Sequence, residues 1–362
     1  VLSGICPDPV RVALSWTPEA EFGGIYQLAG AGGTTDASGK TYTAPLVDPA
    51  TGKPTGVDLQ VIAGGPAVGY LFSEQLMYER QDILLGIDAQ DHQIETYRTT
   101  PTIALLAPMQ LSPDVFIWNP ARYHFKSIAD IGRSGVPVLY YSGAAYMTYL
   151  VDHGILEASQ VNGGYKGNPG EWVATGGGIV FEGFAESEPY VYTHDLPAWD
   201  KSVAYELIAD VGYDPYQNVI LTRPQLLTKY HECLQRLIPM IQRATIQYLG
   251  SPGRVDALVV RLIDAYGIGG PYSLADASYS VRTELADRLV GNPPSGGFGS
   301  FDVAAVKKVI DQLKASKILT GDAAGIGPAA VATNAFVDPT LRLPYAGPYN
   351  DVGGVITVDG SR

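Results

Sequence analysis

Trp16-Thr17-Pro18-Glu19-Ala20-Glu21-Phe22-Gly23-Gly24-Ile25-Tyr26 gathers three kinds of large aromatic ring, two carboxylates and a glycine pair in one short stretch. Aromatic faces stack on flat ligands and attract cations, and carboxylates accept charge-assisted hydrogen bonds from N–H groups. A core-sealing loop is the plainer reading of the same residues. A second acidic set, Glu182, Glu186 and Glu188, leads into Pro189-Tyr190. A strand here would put all three carboxylates on one face, where a glycosidase-like pair is conceivable; an exposed loop is the alternative. Two further places offer backbone N–H groups. Ala63-Gly64-Gly65-Pro66 opens a predicted helix, and Ser142-Gly143 follows the apolar run from Val136 to Tyr141. Such helix starts suit an anion, although a tight turn explains Gly-Gly-Pro equally well.

No motif for covalent or metal chemistry accompanies these groups. Ser142-Gly143 is not set in Gly-x-Ser-x-Gly. Gly176-Gly177-Gly178 precedes an apolar run and not a helix, which argues against a phosphate loop. The five histidines and two cysteines show no metal-ligand spacing. No catalytic residue, metal or cofactor is therefore expected. A net charge of -13 argues against nucleic acid as a partner. No run approaches the roughly 18 apolar residues of a membrane helix.

The elements that must hold these groups follow from periodicity. Val10 to Leu14, Val57 to Ile62, Asp82 to Gly86, Thr102 to Ala107, Val136 to Tyr141 and Val219 to Leu221 read as strands. Helices are predicted from Ile25, over Ala67 to Glu79, from Ser127 as N-cap, and from Ser142 to His153-Gly154. Gly30 to Gly56 reads as a small hairpin inserted at the surface. From Gln225 the chain turns helical, over Leu226–Tyr248, Val255–Tyr266, Ala275–Leu289 and Val303–Ala315. The tail from Gly321 reads as extended and surface-wrapped. Strand–glycine loop–helix recurs at Trp16, Gly64 and Ser142, so the fold class is α/β, with two lobes facing a cleft.

In this order the segments resemble the substrate-binding proteins of bacterial ABC importers, in the nitrate/sulfonate/taurine and thiamine-pyrimidine branch. Trp16-Thr17-Pro18 with Gly24-Ile25-Tyr26 is similar to that family's first-strand motif, and Ala63-Gly64-Gly65-Pro66 with Asp82-Ile83-Leu84 to its second glycine loop and next strand. Ser127-Ile128-Ala129-Asp130-Ile131-Gly132 resembles its "DL-G-K" helix start, with Arg133 for Lys, and Glu188-Pro189-Tyr190 its second-lobe loop. The resemblance covers roughly Val10 to Leu249. The segment 30–56 and the tail depart from it. It implies a type II-like two-lobed periplasmic-binding-protein fold, with residues 1–104 plus 220–362 in lobe one and 105–219 in lobe two. Ligand binding would close the cleft by hinge motion.

The family implies a non-enzymatic role: binding a small-molecule ligand outside the cytoplasm and passing it to an ABC permease. A monomer is expected. The membrane would be met only through the permease or a lipid anchor, since Leu2-Ser3-Gly4-Ile5-Cys6 resembles a lipoprotein cleavage box with one residue too many. In the family fold Cys6 and Cys233 both fall in lobe one, so a disulfide between them is the competing expectation. The ligand site would draw on Trp16, Glu19, Phe22, Tyr26, Gly64, Gly65, Trp118, Ser142, Gly143, Tyr146, Glu186, Glu188 and Tyr190. An aromatic wall with carboxylates favours a nitrogen-bearing heterocycle or an amine. An alkylsulfonate, taurine or nitrate is the alternative, held by the helix starts at Gly64 and Ser142. Enzymes sharing the fold, the fungal pyrimidine synthases, resemble a Cys-rich version that this chain does not match, and a carboxylate hydrolase is the other enzymatic alternative.

Overall fold

The computed structural model describes residues 1–344 and 353–360. Two sheets organise them. In the first, the order is Thr34–Asp36, Thr41–Val47, Pro54–Ile62, Val10–Ala13, Leu85–Asp88, Val219–Thr222 and Ile103–Leu106. Val10–Ala13 runs parallel to both neighbours, whereas Val219–Thr222 runs antiparallel to both of its own. The second sheet orders Ile356–Val358, Val203–Leu207, Asp114–Trp118, Val180–Phe184, Val138–Leu139 and Val161–Asn162. Asp114–Trp118 is antiparallel to both of its neighbours there. The chain crosses between the sheets after Leu106 and again before Val219.

Segment 30–56 departs from the expected surface insertion. Thr41–Val47 alternates half-buried and buried side chains and pairs antiparallel with Pro54–Ile62, so the hairpin extends the first sheet. The tail departs too. Val331, Phe336 and Leu343 are buried, and Ile356–Val358 adds an edge strand to the second sheet. Residues 345–352 of that expected extended tail lie outside the described residues.

The predicted helix Ala67–Glu79 is broken. A short turn, Gly65–Val68, ends at Gly69 and Tyr70, both with positive φ (66° and 64°), and a new helix runs over Ser73–Glu79. Glycine tolerates that backbone and tyrosine seldom does. The break turns Tyr70, Leu71 and Phe72 inward. The long helix His231–Gly250 buries Leu234, Leu237, Ile238 and Ile241 beneath the first sheet. Gly23 approaches it so closely that a Cβ would sit 2.1 Å from the Tyr248 ring.

Cys6 and Cys233 form a disulfide, their Cα atoms 5.0 Å apart. It ties the start of the chain to the long helix across 227 residues of sequence. A paired Cys6 has no free thiol for a lipid. Closing so long a loop constrains the unfolded chain, so Cys233→Ser should cost about 2–4 kcal/mol in urea denaturation. Unchanged stability would show that the bridge adds nothing. Among the described residues, no helix is long and apolar enough to cross a membrane.

Candidate functional site

The ends of both sheets converge on a cleft of about 170 Å³. The first lobe contributes Trp16, Glu19 and Glu21 from the loop after Val10–Ala13, Gly65 and Tyr70–Phe72 from the broken helix, and Asp88, Asp91 and His92 from beyond Leu85–Asp88. The second lobe contributes Asp114, Tyr141, Tyr146, Tyr165, Lys166, Glu182 and Glu188, and Gln217 comes from the return crossover.

Five expected residues line this cleft: Trp16, Glu19, Gly65, Tyr146 and Glu188. Trp16 packs 5.8 Å from Tyr70, ring centroid to centroid. Gly65 makes room for Trp16, because a Cβ there would lie 2.7 Å from the indole, and its φ is 54°. Gly65→Ala therefore combines backbone strain with a clash. It should destabilise by about 1–3 kcal/mol and shift Trp16 fluorescence. An unshifted emission spectrum would disprove the contact.

The other expected residues sit elsewhere. Gly64 lies just behind the lining, where a Cβ would meet the Leu14 carbonyl oxygen at 2.1 Å. Ser142 and Gly143 flank the lining residues Tyr141 and Ala144 without lining the cleft. Phe22 and Tyr26 are buried in the first lobe's core, because the short helix Gly23–Tyr26 turns them toward the long helix. Trp118 is buried in a hydrophobic cluster with Phe125 at its edge. Its strand runs antiparallel, so the cleft receives that strand's first residue, Asp114, and not its last. Tyr190 stacks on His194 and packs at a tilt against Tyr279, outside the cleft. Glu186 turns into the protein with both carboxylate oxygens unpartnered. The strand ends at Phe184, which separates Glu182 on the strand from Glu186 and Glu188 beyond it.

The anion cradle expected at Gly64 is already occupied by the protein's own acceptors. The Gly64 and Gly65 N–H groups donate to the carbonyls of Trp16 (2.8 Å) and Ser15 (3.1 Å). They pin the Trp16 loop. Beside Ser142, the Tyr141 N–H donates to Glu182 Oε1 at 2.7 Å, and the Tyr146 hydroxyl donates to Glu182 Oε2.

What remains is acidic. Burial pushes the Glu19 carboxyl up to about 7, against a hydrogen bond from Thr17, and Glu188 adds to the rise. Burial raises Glu182 to about 8 and Asp114 to about 7, each opposed by a hydroxyl donor, Tyr146 and Ser112 respectively. Burial also raises Glu188, one of whose oxygens accepts the Phe184 N–H at 2.6 Å. Burial opposes charge on His92, yet Asp91, Asp88 and Glu74 lift it to about 10. It therefore stays protonated at neutral pH, bound to Asp88 at 3.0 Å and stacked on Phe72. Lys166 places its ammonium over Tyr70 and Tyr141, 5.4 and 5.0 Å from the ring centres. Among the described residues, no group of three or more His, Cys, Asp or Glu side chains is arranged to hold a metal ion.

Sequence reasoning missed Asp88, Asp91 and His92, which lie just past a strand end, where the same rule that found Trp16 applies. It also missed Asp114, which opens an antiparallel strand, and Gln217, which precedes one; neither carries a local signal.

No family model and no curated protein matches the sequence. Solved structures do match the fold. A ligand-binding component of an ABC-type import system from Staphylococcus aureus, with zinc bound, gives a TM-score of 0.57 at 9% identity, over 94% of this chain and 100% of that one. The alkanesulfonate-binding protein SsuA from Xanthomonas axonopodis pv. citri, bound to MOPS, gives 0.53 at 13% identity, over 90% and 99%. The periplasmic aliphatic sulphonate binding protein SsuA from Escherichia coli gives 0.53 at 12%, over 88% and 96%. The expected two-lobed α/β fold is thus present: this chain has the architecture of the periplasmic binding proteins.

Proposed function

We propose that this chain is a non-enzymatic solute-binding protein acting outside the cytoplasm, which captures a small nitrogen-bearing organic cation, an amine or protonated heterocycle, for an ABC permease. Lobe one is assigned to residues 1–104 plus 220–362 and lobe two to 105–219, with Ile356–Val358 docked on lobe two's sheet. The protein acts as a monomer and meets the membrane through the permease. Trp16, Tyr70, Glu19, Glu182 and Glu188 are assigned to the ligand.

The observation that carries the ligand class is the lining itself. Carboxylates from both lobes and aromatic faces surround the cleft, while of its two cations His92 is paired with Asp88 and Lys166 lies over the Tyr70 and Tyr141 rings. An organic cation gains both cation–π contact and charge-assisted hydrogen bonds there. The sulfonate alternative draws on the neighbours' ligands. It would set an anion against Glu182 and Glu188, and the Gly64 and Gly65 N–H groups it would use already bond within the protein.

Mass spectrometry of the solute released on denaturing freshly purified protein tests this reading. An amine or basic heterocycle recovered in unmodified form supports it. A sulfonate, or a solute converted to product on incubation, overturns it.

A further inference from the structure

Every lining carboxylate is an acceptor when ionised, and so is Gln217 Oε1. Gln217 is 6% exposed, and that oxygen is buried with no protein partner. It stands at the crossover between lobes, one residue before Asn218, whose amide donates to Glu21 at 3.0 Å. A cleft whose buried polar oxygens are mostly acceptors favours N–H donors. A quaternary ammonium satisfies charge but leaves the buried oxygens unpaired.

The charge balance has a second consequence. Seven carboxylates line the cleft, Glu19, Glu21, Asp88, Asp91, Asp114, Glu182 and Glu188, against two cationic side chains, His92 and Lys166. No small ligand carries enough positive charge to balance all seven in ionised form. Some of them hold protons when the cleft is empty.

Resting on the proposed amine-binding role, we infer that the cleft accepts its ligand as a cation rich in N–H donors, read at Gln217 and Glu188, and that its entry expels protons from the lining carboxylates. Glu188 stands at the centre of this set. It is felt by Glu19 and Glu21 from the first lobe, by Asp114 and Glu182 from the second sheet, and by Asp276 from the helix Leu274–Ala286. Its own segment adds Glu186, and Tyr165 and Tyr192 face it from the second lobe. None of these neighbours is cationic. A ligand cation is the new positive charge that favours the ionised carboxylate, so a proton leaves to solvent.

Three probes with one phenyl ring separate the terms: benzamidine, with a cationic N–H fork, benzyltrimethylammonium, with charge but no N–H, and benzenesulfonate, an anion. Calorimetric titration of the full chain in buffers of different ionisation enthalpy counts the protons. We expect benzamidine to bind on the order of tenfold more tightly than benzyltrimethylammonium. It should release about one proton near pH 7, with affinity rising toward tenfold per pH unit between pH 6 and 8. Gln217→Leu should shrink the preference for benzamidine, and Glu19→Gln, which removes a lining carboxyl raised by burial to about 7, should reduce the proton count.

Benzamidine binding with no proton release and a flat pH profile overturns the exchange, while leaving the amine-binding role intact. Equal affinity for the two cations overturns donor recognition. Binding of benzenesulfonate alone, or of no probe at millimolar concentration, overturns the amine-binding role and this inference with it.

Discussion

The thermal midpoint of the ligand-free protein should fall as pH rises from about 5.5 to 8.5. Burial raises Glu19 and Asp114 to about 7, Glu182 and Glu284 to about 8, and Asp276 to about 9. A carboxyl whose folded pKa lies above its unfolded value binds its proton more tightly when folded. Its stabilising contribution is complete below the unfolded value, 4.5 for the glutamates and 3.8 for the aspartates, and is lost as pH climbs through the folded value. His92, raised to about 10, acts in the same direction, since its charged form is favoured by folding. One pKa unit is about 1.4 kcal/mol per group, so even a heavily discounted contribution from five sites sums to on the order of 5 kcal/mol. That is about 5–10 °C for a chain of this size. Glu186, unpartnered beside Glu21 and Glu284, belongs to the same set. Glu186→Gln should flatten the profile and stabilise the protein at pH 8.5. Differential scanning calorimetry across this range decides the matter: a midpoint that rises with pH would mean that these carboxylates are ionised and solvated in the fold.

Much of the fold was legible because its signals are local. The strand at Val10–Ala13, the helices from Pro224 to Ala315 and the Gly-rich loops at Trp16 and Gly64 each follow from periodicity and turn residues within a window of about a dozen positions. The hairpin expected over 30–56 and the strand expected over Val57–Ile62 were each visible, yet their pairing with one another on the sheet was not. Docking at an edge depends on which strand is left unpaired, and no residue in the hairpin records that. Ile356–Val358 escaped for the same reason. The break at Gly69-Tyr70 ran against helix periodicity on both sides, and its outcome, Tyr70 in the cleft, depends on tertiary contact with Trp16.

The site was half legible, and the boundary is physical. Residues placed after parallel strands, Trp16, Glu19 and Gly65, reach the cleft as the sheet rule requires. Residues placed by the same rule after an antiparallel strand do not, and Trp118 is the plain case. Strand direction in the second sheet is set by crossovers, which sequence pattern does not reveal. Phe22 and Tyr26 failed differently. They flank the loop, but Gly23 and Gly24 let their helix lie directly against Tyr248 and Thr245, and that close contact carries both rings into the core.

Removing one cleft charge should hurt only cationic ligands, whereas removing one cleft ring should hurt ligands of either sign. Glu188→Gln keeps the shape of the side chain and an acceptor oxygen, so the loop held by Phe184 N–H survives. What it loses is the charged partner for a ligand N–H. Affinity for the recovered solute should weaken by about 1.5–3 kcal/mol, the range for hydrogen bonds to charged groups, or roughly ten- to a hundredfold. Trp16→Ala instead strips the face that packs against Tyr70 and opens the cleft mouth. Lost stacking area weakens binding whatever the ligand's charge, by about 1–3 kcal/mol. Titration calorimetry of both variants against the recovered solute and against benzenesulfonate separates the two terms. If Glu188→Gln leaves the recovered solute's affinity unchanged while Trp16→Ala weakens it, the ring lies in the site and the glutamate does not. Recognition would then rest on Glu19 and Glu182, which face the same cleft from opposite lobes and can be tested by the same pair of measurements.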